Sequence, residues 1–383
     1  MKRNRFWIST LSLIFFILFS ITTMKIGSFS LSITQKKMEL LPLSETVTGG
    51  DAYDVWVDEV KETAYVTCGY RGLRIFNVSN PSNLSLLAHI PETPAVINTG
   101  HSTAYAHQLL VRNEIVFIGD GPGGLKIINC SDPKNPLLLS QFTEGYSWDI
   151  KLIDDVAFVA NGWNNMGNPG MMVVNVTDLT NPLQIYNHMY SDITDLEISG
   201  DRVYLAGYSA GILILDITNY SNPVELGRYT ERLDSFDVEV VDNLVFQSSW
   251  DYGLQILEVN DPTSIKVISE FSSFDGNELA SIHIDTEFAY LAAMTDGIIV
   301  LNISDPNNPQ EVSRYSDLDG AFGIFARDDL VFVADQEKGL IILKLVLSSS
   351  NQQTTSGLDP VMVLFSINLI ILFNEFPRRK NFF

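Results

Sequence analysis

Apolar runs of five or six residues recur along the chain, each opened by a glycine and followed by a turn rich in Asp, Asn and Pro. Two clear examples are GLKIINCSDPKNP at 124–136 and GIIVLNISDPNNP at 297–309. The spacing is about 40 to 52 residues, which is the length of one supersecondary repeat. The opening glycines are Gly72, Gly124, Gly170, Gly211, Gly253, Gly297 and Gly339.

Each repeat contains three further segments with β-type composition. A run such as AYVTCG (64–69) precedes the glycine, a run such as DVWV (54–57) precedes that one, and a run such as LSLLAHI (84–90) follows the turn. Aromatic and β-branched residues of this kind pack well on sheet surfaces. Four strands per repeat are typical of a β-propeller blade. In the connecting turns, Asp132, Asp305, Asn135 and Asn308 are expected to bond the backbone and Pro to fix φ.

The seventh repeat lacks its fourth strand after GLIILKLVL (339–347). The segment ELLPLSET (39–46) resembles VELGRYTE (224–231) and precedes the first repeat. Pairing it into the last blade would close the ring and remove an open sheet edge. The chain is therefore predicted to be all-β, a seven-bladed β-propeller of four-stranded blades over residues 37–345.

The repeat resembles the LVIVD repeat family of bacterial and archaeal propellers. The resemblance is carried by Gly124–Pro136 and Gly297–Pro309, each preceded by a strand like AYLAA (289–293), and it extends over about 37–345. Repeats one, five and seven depart from the final Asn-Pro. The resemblance implies the propeller fold but no particular activity, because the family is defined by its repeat.

The two ends of the chain predict export and anchoring. Basic residues at 2–5 precede an apolar run at 6–21, so 1–32 is expected to be a signal peptide or an uncleaved signal anchor. At the other end, a polar spacer (348–357) precedes an expected transmembrane or sorting segment (358–377) and a basic cytoplasmic tail (378–383). This arrangement resembles the anchors of prokaryotic surface proteins. The propeller would then lie outside the cell, held at the membrane.

Charge and cysteine content narrow the function classes. The formal net charge is −22, which argues against nucleic acid as a partner because there is no cationic excess to neutralise phosphates. Such a surface suits basic partners or cations, or serves solubility alone. Cys68 and Cys130 fall in different repeats, so two free, buried thiols are expected rather than a disulfide framework.

One repeat position, at the start of the innermost strand of each blade, is acidic in four blades. The repeat alignment places Asp54, His107, Asp149, Asp195, Asp237, Ser281 and Gly323 there. Carboxylates crowded at one channel mouth repel each other unless a cation or hydrogen bonds relieve them. Asp54, Asp149, Asp195 and Asp237 are thus candidate ligands for Ca²⁺, the one cofactor considered. The alternative is that each Asp caps its own loop.

Aromatic residues gather on the same predicted face. Tyr53, Phe236 and Phe322 lie beside the acidic position, Tyr70 lies in a loop, and longer loops occur at 91–102, 120–123 and 161–169. Exposed rings on a rigid scaffold suit sugars or protein partners; alternatively, they pack on neighbouring loops. The candidate ligand-binding residues are Trp148, Trp163, Tyr208, Trp250, Tyr252 and His107.

Sequence motifs for catalysis are missing. The chain has neither a Gly-x-Ser-x-Gly nucleophile elbow nor a glycine-rich phosphate loop. The favoured function is a cell-surface binding module that uses the channel-mouth face to bind a protein or carbohydrate. The alternatives are an exported enzyme with a site around His107 and the aspartates, and a structural protein of the cell envelope.

Overall fold

A computed structural model describes residues 38–92, 105–162, 169–231, 233–250, 252–272 and 278–348. The expected signal at 1–32, the segments 358–377 and 378–383, all but the first residue of the spacer, and Trp163 lie outside the described residues. Among the described residues, no helix is long and apolar enough to cross a membrane.

The strands of the first four blades follow the repeat, and each blade is one antiparallel sheet with its strands in chain order. Blade 1 comprises β2 (Asp54–Asp58), β3 (Thr63–Thr67), β4 (Leu73–Asn77) and β5 (Ser85–Ile90); blade 2 comprises β6 (Leu109–Arg112), β7 (Ile115–Gly119), β8 (Leu125–Asn129) and β9 (Leu137–Phe142); blade 3 comprises β10 (Ser147–Ile153), β11 (Val156–Asn161), β12 (Gly170–Asn175) and β13 (Leu183–Met189); blade 4 comprises β14 (Ile193–Ser199), β15 (Arg202–Gly207), β16 (Gly211–Asp216) and β17 (Val224–Tyr229).

The remaining three blades include the one that closes the ring. Blade 5 comprises β18 (Ser235–Val241), β19 (Leu244–Ser249), β20 (Gly253–Glu258) and β21 (Lys266–Phe271); blade 6 comprises β22 (Ser281–Asp285), β23 (Phe288–Ala292), β24 (Ile298–Asn302) and β25 (Gln310–Tyr315); blade 7 comprises β26 (Ala321–Arg327), β27 (Leu330–Asp335), β28 (Gly339–Leu347) and β1 (Met38–Thr46). This confirms the predicted all-β fold of seven four-stranded blades.

The last blade takes its outer strand from the start of the described chain. β1 pairs antiparallel with β28 from Met38↔Leu347 to Thr46↔Leu340, with a register shift between Pro42 and Ser44. An otherwise unpaired edge of β28 is thereby covered. Closure of the ring by the N-terminal strand is confirmed.

Turns between the third and fourth strands are held by Asx hydrogen bonds. Oδ1 of Asp132 accepts from the backbone N–H of Lys134 at 3.0 Å, and Oδ1 of Asp305 accepts from that of Asn307 at 3.1 Å. Earlier in the same turns, Oδ1 of Asn129 accepts from the backbone N–H of Ser131, and Oδ1 of Asn302 accepts from that of Ser304. These short side chains replace lost ladder hydrogen bonds, as the turn prediction requires.

The core lies between blades rather than at a single centre. Seven clusters of buried apolar side chains each combine residues of two neighbouring blades, including blades 7 and 1. Cys68 belongs to the cluster of blades 7 and 1 and Cys130 to that of blades 1 and 2. Both are free and buried, as expected, and burial raises the pKa of each thiol to about 12.

Candidate ligand-binding site

The innermost strands define a register that corrects one part of the repeat alignment. Val55 pairs with Val66 in blade 1, and Leu109 pairs with Ile118 at the equivalent place in blade 2. The counterpart of Asp54 in blade 2 is therefore Gln108. The placement of His107 at the acidic position was wrong by one residue, because β6 begins only at Leu109.

The four aspartates form an acidic layer that joins neighbouring blades. Each accepts a hydrogen bond from a backbone N–H of the next blade's innermost strand. The bonds run from Leu109 to Asp54 (2.9 Å), from Leu196 to Asp149 (3.4 Å), from Val238 to Asp195 (2.8 Å) and from Ile282 to Asp237 (3.0 Å). Asp54 also accepts from the N–H of Val55. The aspartates thus bind backbone amides, chiefly those of the adjacent blade rather than of their own loop.

A lysine lies among these carboxylates. Nζ of Lys151 is 3.0 Å from Glu197 Oε2 and 3.8 Å from Asp149 Oδ2. Burial alone would lower the pKa of Lys151, but Asp149, Glu197 and other carboxylates raise it well above its ordinary value. The channel therefore contains its own counter-ion.

Burial changes the protonation of the acidic layer. It raises the pKa of Asp54 to about 7 against two backbone hydrogen bonds, and that of Asp237 to about 6. Burial and the neighbouring Asp149 raise the pKa of Asp195 well above its ordinary value. Among the described residues, no group of three or more His, Cys, Asp or Glu is arranged to hold a metal. The Ca²⁺ site at the four aspartates stays a prediction.

One residue before the acidic layer, five rings form a closed circuit across the channel, which we call the aromatic collar. Each ring contacts the next one around the circuit. The distances between ring centroids are 5.7 Å for Tyr53–His107, 3.9 Å for His107–Trp148, 6.0 Å for Trp148–Phe236, 5.6 Å for Phe236–Phe322 and 4.9 Å for Phe322–Tyr53. Such contacts between rings are favourable beyond the area they bury. Blades 4 and 6 contribute only the small side chains of Thr194 and Ala280 at this position.

His107 is a member of the collar and is uncharged. It stacks on Trp148, its Nε2 lies 3.1 Å from the hydroxyl of Tyr146, and it is only 4% exposed. Burial lowers the pKa of its imidazole to about 3. His107 thus contributes a neutral ring to the channel wall at neutral pH.

A cavity of about 750 Å³ lies between the collar and the loops that join the second and third strands. Its size is in the range of small-molecule sites. The lining residues are Tyr53, Tyr70, Tyr105, His107, Tyr146, Trp148, Asp192, Thr194, Tyr208, Phe236, Trp250, Met294, Phe322 and Gln336.

Four of the candidate ligand-binding residues line this cavity, namely His107, Trp148, Tyr208 and Trp250. Tyr252 is 38% exposed and does not line it. Trp163 lies outside the described residues.

Sequence reasoning missed three lining residues that a simple rule could have found. Tyr105, Tyr146 and Asp192 each lie two residues before a collar position, and residues two apart in an extended segment share a side. The backbone repeats this geometry, since the carbonyls of Tyr146 and Asp192 accept from Gly162 and Tyr208 respectively, both at 3.0 Å. Counting back two residues from the collar position in blades 2, 3 and 4 would have placed all three above the collar.

Comparison with solved structures shows similarity to a computationally designed protein called Ika8. The TM-score is 0.56 at 12% sequence identity, and the match covers 80% of this chain and all of that one. At that identity the likeness concerns the fold alone. No curated protein matches the chain.

A family model described as the LVIVD repeat matches residues 49–90, 104–143, 144–188, 192–231 and 279–317. These ranges correspond to blades 1, 2, 3, 4 and 6. Blades 5 and 7, which lie outside the match, have the same strand pairing as the others. The matched residues make up more than half of the sequence, and the chain therefore belongs to the LVIVD repeat family.

Proposed function

We propose that this protein is a binding module displayed outside the cell, and that its ligand enters the channel-mouth cavity. The observation that carries the proposal is the cavity itself, in which side chains from several blades converge on one aromatic-walled space. Buried aromatic anchors are the groups that contribute most to binding energy in protein interfaces. A protein or a carbohydrate at the cell surface would supply the ligand.

An exported enzyme has less support. A general base works best when its pKa lies near the working pH, whereas burial lowers the pKa of His107, which lines the cavity, to about 3. Burial raises the pKa of Asp54 to about 7 and that of Asp237 to about 6, but neither residue lines the cavity. The hydroxyl of Thr194 hydrogen-bonds the carbonyls of Ala206 and Ser235, at 3.3 and 3.2 Å. Both partners are backbone carbonyls, so this hydroxyl stabilises the structure and is not paired with a base that would activate it as a nucleophile.

The binding proposal is tested by comparing two aromatic residues on one loop. Trp250→Leu removes a ring from the cavity wall, and Tyr252→Leu removes an exposed ring outside it. We expect cell-surface glycans or peptides that bind the parent to lose affinity for Trp250→Leu and to retain it for Tyr252→Leu. Binding that survives Trp250→Leu unchanged would place the ligand elsewhere.

Membrane attachment is a separate part of the proposal and rests on the two ends of the sequence. Protease added to intact cells should cleave or release the propeller, whereas the basic residues at 378–383 should stay protected inside. If the propeller is degraded only after lysis, the proposed location is wrong.

A further inference from the structure

Building on the proposed function, we infer that the ligand of the channel-mouth cavity carries an organic ammonium group, and that the aromatic collar and Asp192 recognise its positive charge. Three features support this: the aromatic collar in the cavity wall, the charge of that wall, and the hydrogen bonds already made by its hydroxyl groups.

The collar gives the cavity an aromatic wall on which an alkylated ammonium could rest. Its five residues share one repeat position and hence one level of the channel, and neighbouring centroids lie 3.9 to 6.0 Å apart. A five-membered circuit with these sides places each centroid roughly 4 to 5 Å from the middle, inside the ~6 Å range of cation–π attraction. All five collar residues line the cavity, so an ammonium group on the cavity side of the collar would lie near several aromatic rings at once.

The charge of the cavity wall favours a cation. Asp192 lines the cavity, and its buried Oδ1 accepts no hydrogen bond among the described residues. None of the described lining residues is a Lys or an Arg, and His107 is neutral because burial lowers its pKa. Among the described residues that line the cavity, a ligand ammonium would thus meet a carboxylate and no positive charge.

More carboxylates occupy the same repeat position as Asp192. Asp51, Asp234 and Glu278 each lie two residues before a collar position, in blades 1, 5 and 6. The carbonyl of Asp234 accepts from Trp250 N–H at 3.1 Å, just as that of Asp192 accepts from Tyr208. Added to a net charge of −22, they give the mouth a field that attracts cations.

Neutral sugars fit the cavity less well, because several hydroxyl groups of its wall already hydrogen-bond other residues of the wall. The hydroxyls of Tyr53 and Tyr105 hydrogen-bond each other, and that of Tyr146 bonds His107. A sugar brings many hydroxyls that need partners when buried. An alkylated ammonium needs only ring faces and a negative charge.

Choline and its neutral isostere 3,3-dimethylbutan-1-ol separate charge from shape. Binding to the intact protein can be followed by titration calorimetry and by the fluorescence of the cavity tryptophans. We expect choline to bind at least about tenfold more tightly than the isostere, as a desolvated cation–π site requires. Equal affinities would overturn the inference but leave the cavity as a binding site. If neither probe binds up to its solubility limit, the inference fails, and the Trp250 and Tyr252 comparison still decides the proposed function.

Two matched variants locate the charge effect. Asp192→Asn removes a carboxylate from the cavity wall, and Asp242→Asn removes one from an exposed turn at the far end of β18. Choline affinity should fall several-fold in the first variant and stay unchanged in the second. Equal effects in both would reduce the role of Asp192 to a general field and overturn its assignment.

The source of the ammonium is then found with two larger probes. Peptides containing trimethyl-lysine represent a protein ligand, and phosphatidylcholine vesicles represent a lipid headgroup. Competition by choline for either probe identifies that source. If choline competes with neither, the ligand is not an organic cation of these classes and the inference is overturned.

Discussion

Ring closure by β1 is best tested by truncating Leu40, whose side chain is 4% exposed and packs with Leu343 and Leu345 of β28. The adjacent Leu41 points to the other face of the strand and is 40% exposed. Removing a buried leucine side chain costs about 2 to 5 kcal/mol, because transfer and cavity terms add. We expect Leu40→Ala to lower the free energy of unfolding by that amount, and Leu41→Ala to lower it by about 1 kcal/mol or less.

Urea denaturation followed by circular dichroism measures both values, provided that the slope with denaturant stays the same. Deleting β1 altogether removes eight residue pairs from the last blade. At about 1 kcal/mol for each net hydrogen bond, this costs roughly 6 to 8 kcal/mol before any packing is counted. That loss is comparable with the total stability of many domains. Equal effects of the two alanine variants, or a deletion that melts like the parent, would show that β1 does not close the ring.

Three further predictions concern the channel. Gly323→Ala should lower the melting temperature, because the added Cβ would lie 2.5 Å from the Tyr53 carbonyl oxygen across the closing blade interface; an unchanged melting temperature would show that this interface can widen. The pKa of Asp54 is raised from 3.8 to about 7, so its contribution is complete below its ordinary pKa and is lost as the pH rises through about 7; the melting temperature should fall between about pH 4 and pH 7, and Asp54→Asn should flatten that fall. Melting with Ca²⁺ and with chelator tests the metal prediction: a bound ion would stabilise the parent but not the double variant Asp149→Asn with Asp195→Asn, whereas equal midpoints in all four samples would contradict it.

The fold could be predicted because the same pattern of strands and turns recurs in every repeat. The glycine that opens β8 has a φ of +74° and that of β24 has +83°, conformations that favour glycine, so the same residue recurs at each blade. The missing strand after β28 and the matching segment at 39–46 then fix both blade number and closure. Because the repeats differ in detail but share one pattern, comparing them identifies strands that no single repeat would define.

The site was predicted only in part, because it depends on a register that a repeat alignment leaves open by one residue. Gln108 and His107 are both polar and adjacent, and pattern alone cannot decide which of them belongs to the acidic layer. The strand pairing of Leu109 with Ile118 decides it. The hydrogen bonds that the four aspartates accept from backbone N–H groups of the next blade also escaped prediction, since they join residues 43 to 55 positions apart.

Two positions in each blade give the mouth its chemistry, and their residues are distributed unevenly around the ring. Two residues before the collar, blades 2 and 3 carry Tyr105 and Tyr146, whereas blades 4 and 6 carry Asp192 and Glu278. Blades 4 and 6 are also the ones that contribute no ring to the collar. Asp51 and Asp234 occupy the same position in blades 1 and 5, so three of the four carboxylates lie in the consecutive blades 4, 5 and 6, whereas the tyrosines lie beside His107 and Trp148. This gives the cavity an aromatic side and an acidic side, an asymmetry that would orient a ligand with its cationic end towards blades 4 to 6. The backbone repeat itself does not require this arrangement, whereas the proposed cationic ligand would use both of its sides.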